Sequence, residues 1–297
     1  MSNIAESLPP VVELSQTPFN PQTSYHCGPA ALSTVMQSHG VDISVETLTP
    51  YLYIPERKGS LQIEMAVAAR RFGMLPYPLE HGLADLLTEI AAGNPVLVLQ
   101  NLRFEGWPQW HYAVVVGYDM EQQELVLRSG TTERWLTSFD NFETTWKRAD
   151  RWALVIVPAG EIPATASVSS YLETVYAFEE TGMTGAAAKA YRAATQQWPD
   201  DATVWLSRGN LAYQTGQTAE AVSMFTRAAS LDPDSAVIWN NLAYALHRYG
   251  CAEQAVQSLQ CARRLSPDDE NIRHSEREIE HMALHPQAGN CPEITCD

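Results

Sequence analysis

The C-terminal half of this 297-residue chain repeats itself with a step of 34 residues. Pro199, Pro233 and Pro267 fall on that step, as do Tyr171, Trp205 and Trp239. So do Gly182, Gly216 and Gly250, then Ala187, Ala221 and Ala255. Tyr191, Phe225 and Leu259 make a further column, and Ala194, Ala228 and Ala262 another. A fixed period of this length marks stacked supersecondary units, each too small to bury its apolar face alone. The chemistry of the columns fits two helices per unit. Glycine supplies the turn between them, alanine lets the helices cross closely, the aromatics fill the space between units, and proline ends the second helix. Units are expected at 168–201, 202–235 and 236–269. The polar stretch Glu270–Leu284 then reads as a solvating capping helix, and 285–297 as a tail. This half is an all-α solenoid.

The period and its wording resemble the tetratricopeptide repeat (TPR). That resemblance implies a concave surface for docking a protein substrate or partner. Nothing in the residues names the ligand.

The first half is punctuated differently. Residues 10–157 mix short apolar runs with helical stretches, and Pro158 to Ser167, rich in proline and small residues, reads as a linker. Helices are expected over Leu61–Phe72 and Leu83–Ala92, each closed by a glycine, with strands over Val96–Leu99 and Trp152–Val157. That mixture is an α+β domain.

Its chemistry centres on Cys27. Gly28 and Pro29 follow it, then Ala30, Ala31, Leu32, Val35 and Met36 at helical spacing, with Gly40 as the stop. Cys27 therefore starts an amphipathic helix, where free backbone N–H groups and the helix dipole favour thiolate. On that ground Cys27 is expected to alkylate fastest of the five cysteines, below the free-thiol value of about 8.5. His111 opens an apolar strand running to Tyr118. The stretch Trp107 to Trp110 just before it suits either a substrate groove or the core.

Gln22, Cys27-Gly28-Pro29-Ala30 and His111-Tyr112, with the strand to Gly117-Tyr118, resemble in order and wording the papain-like cysteine peptidases, closest to the bacteriocin-processing (double-glycine) family. The resemblance covers about residues 15–157 and implies a papain-like α+β fold ahead of the TPR solenoid. It also implies roles. Cys27 would attack a carbonyl carbon, His111 would take the thiol proton, and Gln22 would donate to the oxyanion beside the Cys27 N–H. The family's acidic third member is missing, because the next strand, Glu124 to Thr131, holds no Asp. Asp119 lies eight residues along the strand from His111, roughly 26 Å away at about 3.3 Å per residue. A hairpin turning near 120–123 pairs Asp119 with Glu124 and brings residues 129–131 opposite His111. Ser129 is the expected orienting group, through its hydroxyl or a nearby carbonyl.

Composition narrows the alternatives. Net charge is −16, from 35 acidic and 19 basic residues, which repels a phosphate backbone and argues against nucleic acid. No apolar run approaches the roughly 18 residues of a membrane span. The N-terminus lacks a signal peptide's pattern, so the chain as written is expected to be cytoplasmic, or periplasmic or exported if a signal has been trimmed. Five cysteines are too few for a disulfide framework. Cys291 and Cys296 read as exposed tail thiols, able at most to close a small loop together. His281 and His285 lack a third ligand, so no metal is implied, and no cofactor is. Two readings of function remain: a cysteine peptidase that docks its substrate on the TPR array, and a catalytically weak papain-like domain kept as a binding scaffold.

Overall fold

The apolar runs of the first half assemble into one antiparallel sheet. The strands are β1 (Val11–Glu13), β2 (Met74–Pro78), β3 (Val96–Asn101), β4 (Trp110–Asp119), β5 (Glu124–Ser129), β6 (Thr132–Ser138) and β7 (Ala153–Pro158). Their order is β2-β7-β3-β4-β5-β6, with β1 on the end of β4. This computed structural model describes residues 8–21, 26–54, 59–80, 82–104, 106–281, 286 and 289–296, in two units, 1–174 and 175–297.

Both faces of the sheet are covered, which explains why β3 and β7 read as continuous apolar runs rather than alternating ones. On one face lie α1 (Cys27–Ser38), α2 (Val45–Leu52) and α3 (Gln62–Arg71), around a core of Leu32, Val35, Met36, Leu97, Leu99, Tyr112, Val114 and Ile156. Against the sheet also pack α4 (Leu83–Ala91) and α5 (Phe139–Lys147). The Thr145 hydroxyl of α5 accepts from Gln100 of β3 at 2.7 Å, so the side chains of odd and even β3 residues serve opposite faces. A one-residue bulge interrupts β4 and β5: Gly117 pairs with Val126 and Val115 with Leu127, leaving Val116 extra. Gly117 faces β1 so closely that a Cβ there would meet the Val12 carbonyl oxygen at 2.6 Å.

The segment read as a linker is hydrogen-bonded within this unit. Glu89 of α4, fully buried, accepts from the Thr165 N–H at 2.7 Å and the Thr165 hydroxyl at 2.6 Å, and from Asn94 Nδ2 at 2.7 Å.

In the second half the helices are α6 (Val168–Glu180), α7 (Thr184–Gln197), α8 (Ala202–Gln214), α9 (Thr218–Leu231), α10 (Ala236–Tyr249), α11 (Ala252–Leu265) and α12 (Glu270–His281). α8 pairs with α9 and α10 with α11, the Tyr191 phenol of α7 donates to Glu179 of α6, and the columns of the sequence find their purposes. Gly182, Gly216 and Gly250 sit at positive φ of 72°, 79° and 89°, a backbone region that side chains penalise. Trp205 and Trp239 each donate an indole N–H to the carbonyl of the proline closing the preceding unit, Pro199 at 2.8 Å and Pro233 at 2.7 Å. The turn, the crossing and the seam between units are thus set by the repeating residues.

The tail departs from expectation. Cys291 is bonded to Cys251 and Cys296 to Cys261, so neither tail cysteine is a free thiol and they do not close a loop on each other. The reason lies in the path of the chain: residues 289–296 return along α11, and Cys291, Ile294 and Cys296 pack on the core of the last repeats. Among the described residues Cys27 is the free cysteine.

Candidate active site

Cys27 is the first residue of α1, preceded by His26 as N-cap. The opening amides of a helix have no partner within it. Those of Cys27 and Gly28 lie against the Cys27 sulfur, together with the backbone amide of Tyr112. The sheet explains how Tyr112 comes to offer that amide. Leu99 donates its N–H to Trp152 O at 3.2 Å, on the β7 side of β3. The pair Leu99–Tyr112 is therefore the non-hydrogen-bonded kind, and Tyr112 turns its N–H away from β3. On that side β5 pairs with β4 only from Val114 onward, opposite Arg128. The edge of β4 beside Tyr112 is left open, and the thiol takes it.

Space there is tight. A Cβ on Gly28 would meet the Ser60 side chain, its Cβ at 2.7 Å, so residue 28 has no room for a side chain. The Tyr112 phenol donates to Ser60 O at 3.3 Å, and its ring packs edge-on against Trp152 with centroids 5.7 Å apart.

His111 Nε2 lies 2.9 Å from Ser129 Oγ. The bulge at Val116 makes that contact. Continuing the Asp119–Glu124 pairing without it would set Ser129 opposite Val114, on the α1 face. With the extra residue Val114 meets Arg128 instead, so Ser129 moves onto the face it shares with His111. Arg128, itself buried, fixes the strand by donating to Thr17 O at 3.2 Å and to Glu133 O at 2.8 Å. Asp119 is engaged elsewhere: its carboxylate accepts from the N–H groups of Glu121 and Gln122, both at 2.9 Å, in the β4–β5 turn. Gln22 lies outside the described residues. The segment leading to it is tied to α1 by Asn20, which donates to Gln37 Oε1 at 3.1 Å and Thr34 Oγ1 at 3.2 Å. Neither Arg128 nor Asn20 stands out in the sequence, since both act through partners distant in the chain.

Two expectations need correcting. The helix start does not win over burial at Cys27: desolvation pushes the thiol pKa up, and the amides of Tyr112, Gly28 and Cys27 pull it down by less. Burial also pushes the His111 imidazole below its ordinary value. Around neutral pH the pair rests as thiol and neutral imidazole. Among the described residues no Cys27–His111 hydrogen bond forms; the sulfur is engaged by backbone one residue along, at Tyr112. The other correction concerns the aromatic stretch before His111. Trp107 and Trp110 are 67% and 54% exposed, so they are not core. Their loop is nonetheless built: the Asn101 carboxamide oxygen accepts from the N–H of Arg103 at 3.1 Å and of Gln109 at 2.9 Å.

Among the described residues no cluster of three or more His, Cys, Asp or Glu is placed to hold a metal, and no helix is long and apolar enough to cross a membrane.

Residues 9–154 match the family described as Peptidase_C39 like. Residues 172–236 and 212–276 match two tetratricopeptide repeat families. No curated protein sequence matches the chain. Among solved structures, a C39-like peptidase from Bacillus anthracis is similar at 16% identity, over 50% of this chain and 97% of that one, with a TM-score of 0.40. The peptidase domain of Streptococcus ComA, a bifunctional ABC transporter of a quorum-sensing pathway, is similar at 19% identity, over 48% and 99%, with a TM-score of 0.38. The second half is similar to the Yersinia enterocolitica type III secretion chaperone SycD, in complex with a peptide of the translocator YopD, at 17% identity, over 39% and 95%, with a TM-score of 0.36.

Proposed function

We propose that this chain, a Peptidase_C39 like domain followed by tetratricopeptide repeats, is a cysteine peptidase that uses Cys27 as nucleophile and His111 as general base. The observation that carries the reading is the corner at the start of β4, where the helix-start thiol sits beside Tyr112 while the adjoining His111 is held by Ser129. With Nε2 turned to Ser129, Nδ1 is the ring nitrogen left for the thiol proton. For that, Nε2 carries the hydrogen and donates it to Ser129 Oγ.

The steps follow from the resting charge state. As Cys27 Sγ attacks the scissile carbonyl carbon, its proton passes to His111 Nδ1. The Cys27 N–H and the Gln22 carboxamide stabilise the oxyanion. Collapse breaks the C–N bond, His111 returns the proton to the leaving amine, and a thioester remains on Cys27. Water, deprotonated by His111, then hydrolyses it. Because burial keeps the pair neutral at rest, transfer of the thiol proton belongs to the attack itself, and turnover will be slower than from a standing thiolate. The repeats supply the docking surface for a protein substrate or partner, as such arrays do.

The test is hydrolysis of a peptide library by wild type, Cys27→Ser and His111→Ala. Loss of cleavage in both variants, with an acyl-enzyme trapped on Cys27 in wild type, supports the peptidase. Unchanged cleavage in Cys27→Ser eliminates it. A folded wild type that binds peptides and cleaves none favours the scaffold reading, for which the neutral orienter Ser129 already speaks.

A further inference from the structure

The two disulfides fasten a strap. Cys251 caps the N-terminus of α11, and Cys261 lies ten residues further on along that helix. Ten helical residues rise about 15 Å. Cys291 and Cys296 are five residues apart, and five extended residues span about 16 Å. The two spacings match only if residues 291–296 run parallel to α11 in nearly extended form. Burial agrees: Glu293 and Thr295 are exposed while Ile294 and Cys296 are half-buried, the alternation of an extended segment laid on a surface. Ile294 packs on the core of the last repeats between the two bridges, and the Arg264 guanidinium donates to the Cys296 carbonyl. The same geometry rules out the local pairings. Cys251 and Cys261, or Cys291 and Cys296, stand about 15 Å apart in this arrangement, and a disulfide needs Cα atoms within about 7 Å. The pairing is thus specified by the fold and not by proximity in the chain.

We propose that the chain matures by oxidation: residues 289–296 are locked as a strap on the last repeat by two disulfides, in an oxidising compartment, and Cys27 is left as a free thiol. Each bridge forms by loss of two S–H bonds and gain of one S–S bond. Two protons and two electrons pass to an external disulfide, which leaves as a dithiol, so the chain consumes two equivalents of a dithiol–disulfide oxidant. Such bridges persist where thiols are not kept reduced. Cys27 has no cysteine partner among the described residues, and its sulfur is held against backbone amides at the half-buried start of α1, where burial favours the thiol over the thiolate that attacks a disulfide. The inference does not depend on the peptidase reading.

The experiment uses the full chain, produced once with export to an oxidising compartment and once in a reducing cytosol. Thiols are counted under denaturing conditions, and non-reducing peptide maps locate the bridges. The exported protein should show one thiol per chain, rising to five on reduction, with 251–291 and 261–296 linked peptides. Five thiols in the exported protein, or a 291–296 or intermolecular link, overturns the proposal. A second readout tests the lock: cleavage after the exposed Glu293 by a glutamate-specific protease. It should speed up at least about tenfold on mild reduction, and Cys291→Ser with Cys296→Ser should match the reduced protein. Equal resistance of oxidised protein, reduced protein and the double variant would show that the bridges hold nothing in place.

Discussion

Replacing Ser129 separates an orienting role from a packing role. Its hydroxyl lies 2.9 Å from His111 Nε2, placed to accept the Nε2–H in the tautomer proposed above, and among the described residues no carboxylate bonds the ring. A neutral hydrogen bond of this kind contributes about 0.5–1.5 kcal/mol net. If it is spent on holding the imidazole in the productive tautomer, Ser129→Ala should cost up to that amount in the transition state, about two- to tenfold in kcat/KM. Ser129→Asp should act in the opposite sense on the proton. An adjacent carboxylate stabilises imidazolium and raises a histidine pKa. In wild type, burial depresses the His111 pKa below its ordinary value, so the free base persists as pH falls below neutral. In Ser129→Asp the base is protonated at a higher pH, and the acid limb of kcat/KM should move up. The plateau should equal or exceed wild type, because a charge-assisted bond is roughly twice as strong as a neutral one. The assay is the pH dependence of peptide hydrolysis for the three proteins, with thermal melts to verify folding. If Ser129→Ala stays within twofold of wild type and Ser129→Asp leaves the acid limb where it was, the His111–Ser129 contact has no part in the reaction.

Cys27 should alkylate with a midpoint above the free-thiol value of about 8.5, since burial raises its pKa; a midpoint below that in an iodoacetamide rate–pH profile would contradict the neutral resting pair. Glu89→Ala leaves the part-buried Thr165 N–H, Thr165 hydroxyl and Asn94 Nδ2 without their carboxylate; at about 1 kcal/mol for each, the low end for such groups, urea unfolding should show a loss of about 3 kcal/mol, and a loss under 1 would mean water replaces the carboxylate. Gly209→Ala sets a Cβ 2.6 Å from the ring of buried Phe225 in the second repeat and should cost about 1–3 kcal/mol by the same measurement, whereas an unchanged midpoint would show that the α8–α9 crossing relaxes freely.

What the sequence discloses is what local chemistry decides. The repeat columns are legible because turn, crossing and seam recur every 34 residues, so each is stated three times over. The strand of His111 and the helix of Cys27 are legible for a similar reason, being set by apolar runs and their punctuation. The joint between them is not. Whether Ser129 faces His111 or the core turns on one extra residue at Val116, and a bulge leaves no mark in a strand written Ala-Val-Val-Val-Gly. The charge of Cys27 turns on a contest between helix amides, which sequence shows, and desolvation by the sheet, which it does not. The tail is the extreme case. Its cysteines look like loose thiols because their partners lie 40 and 35 residues upstream on a helix that runs alongside them. The common cause is that each of these features depends on how two elements are set side by side, and a shift of one residue in either changes the chemistry while leaving both elements intact. The corner at Cys27 and His111 and the strap therefore call for experiments that test register, a pH limb for one and a linkage map for the other, where loss of activity alone would not tell a displaced group from a missing one.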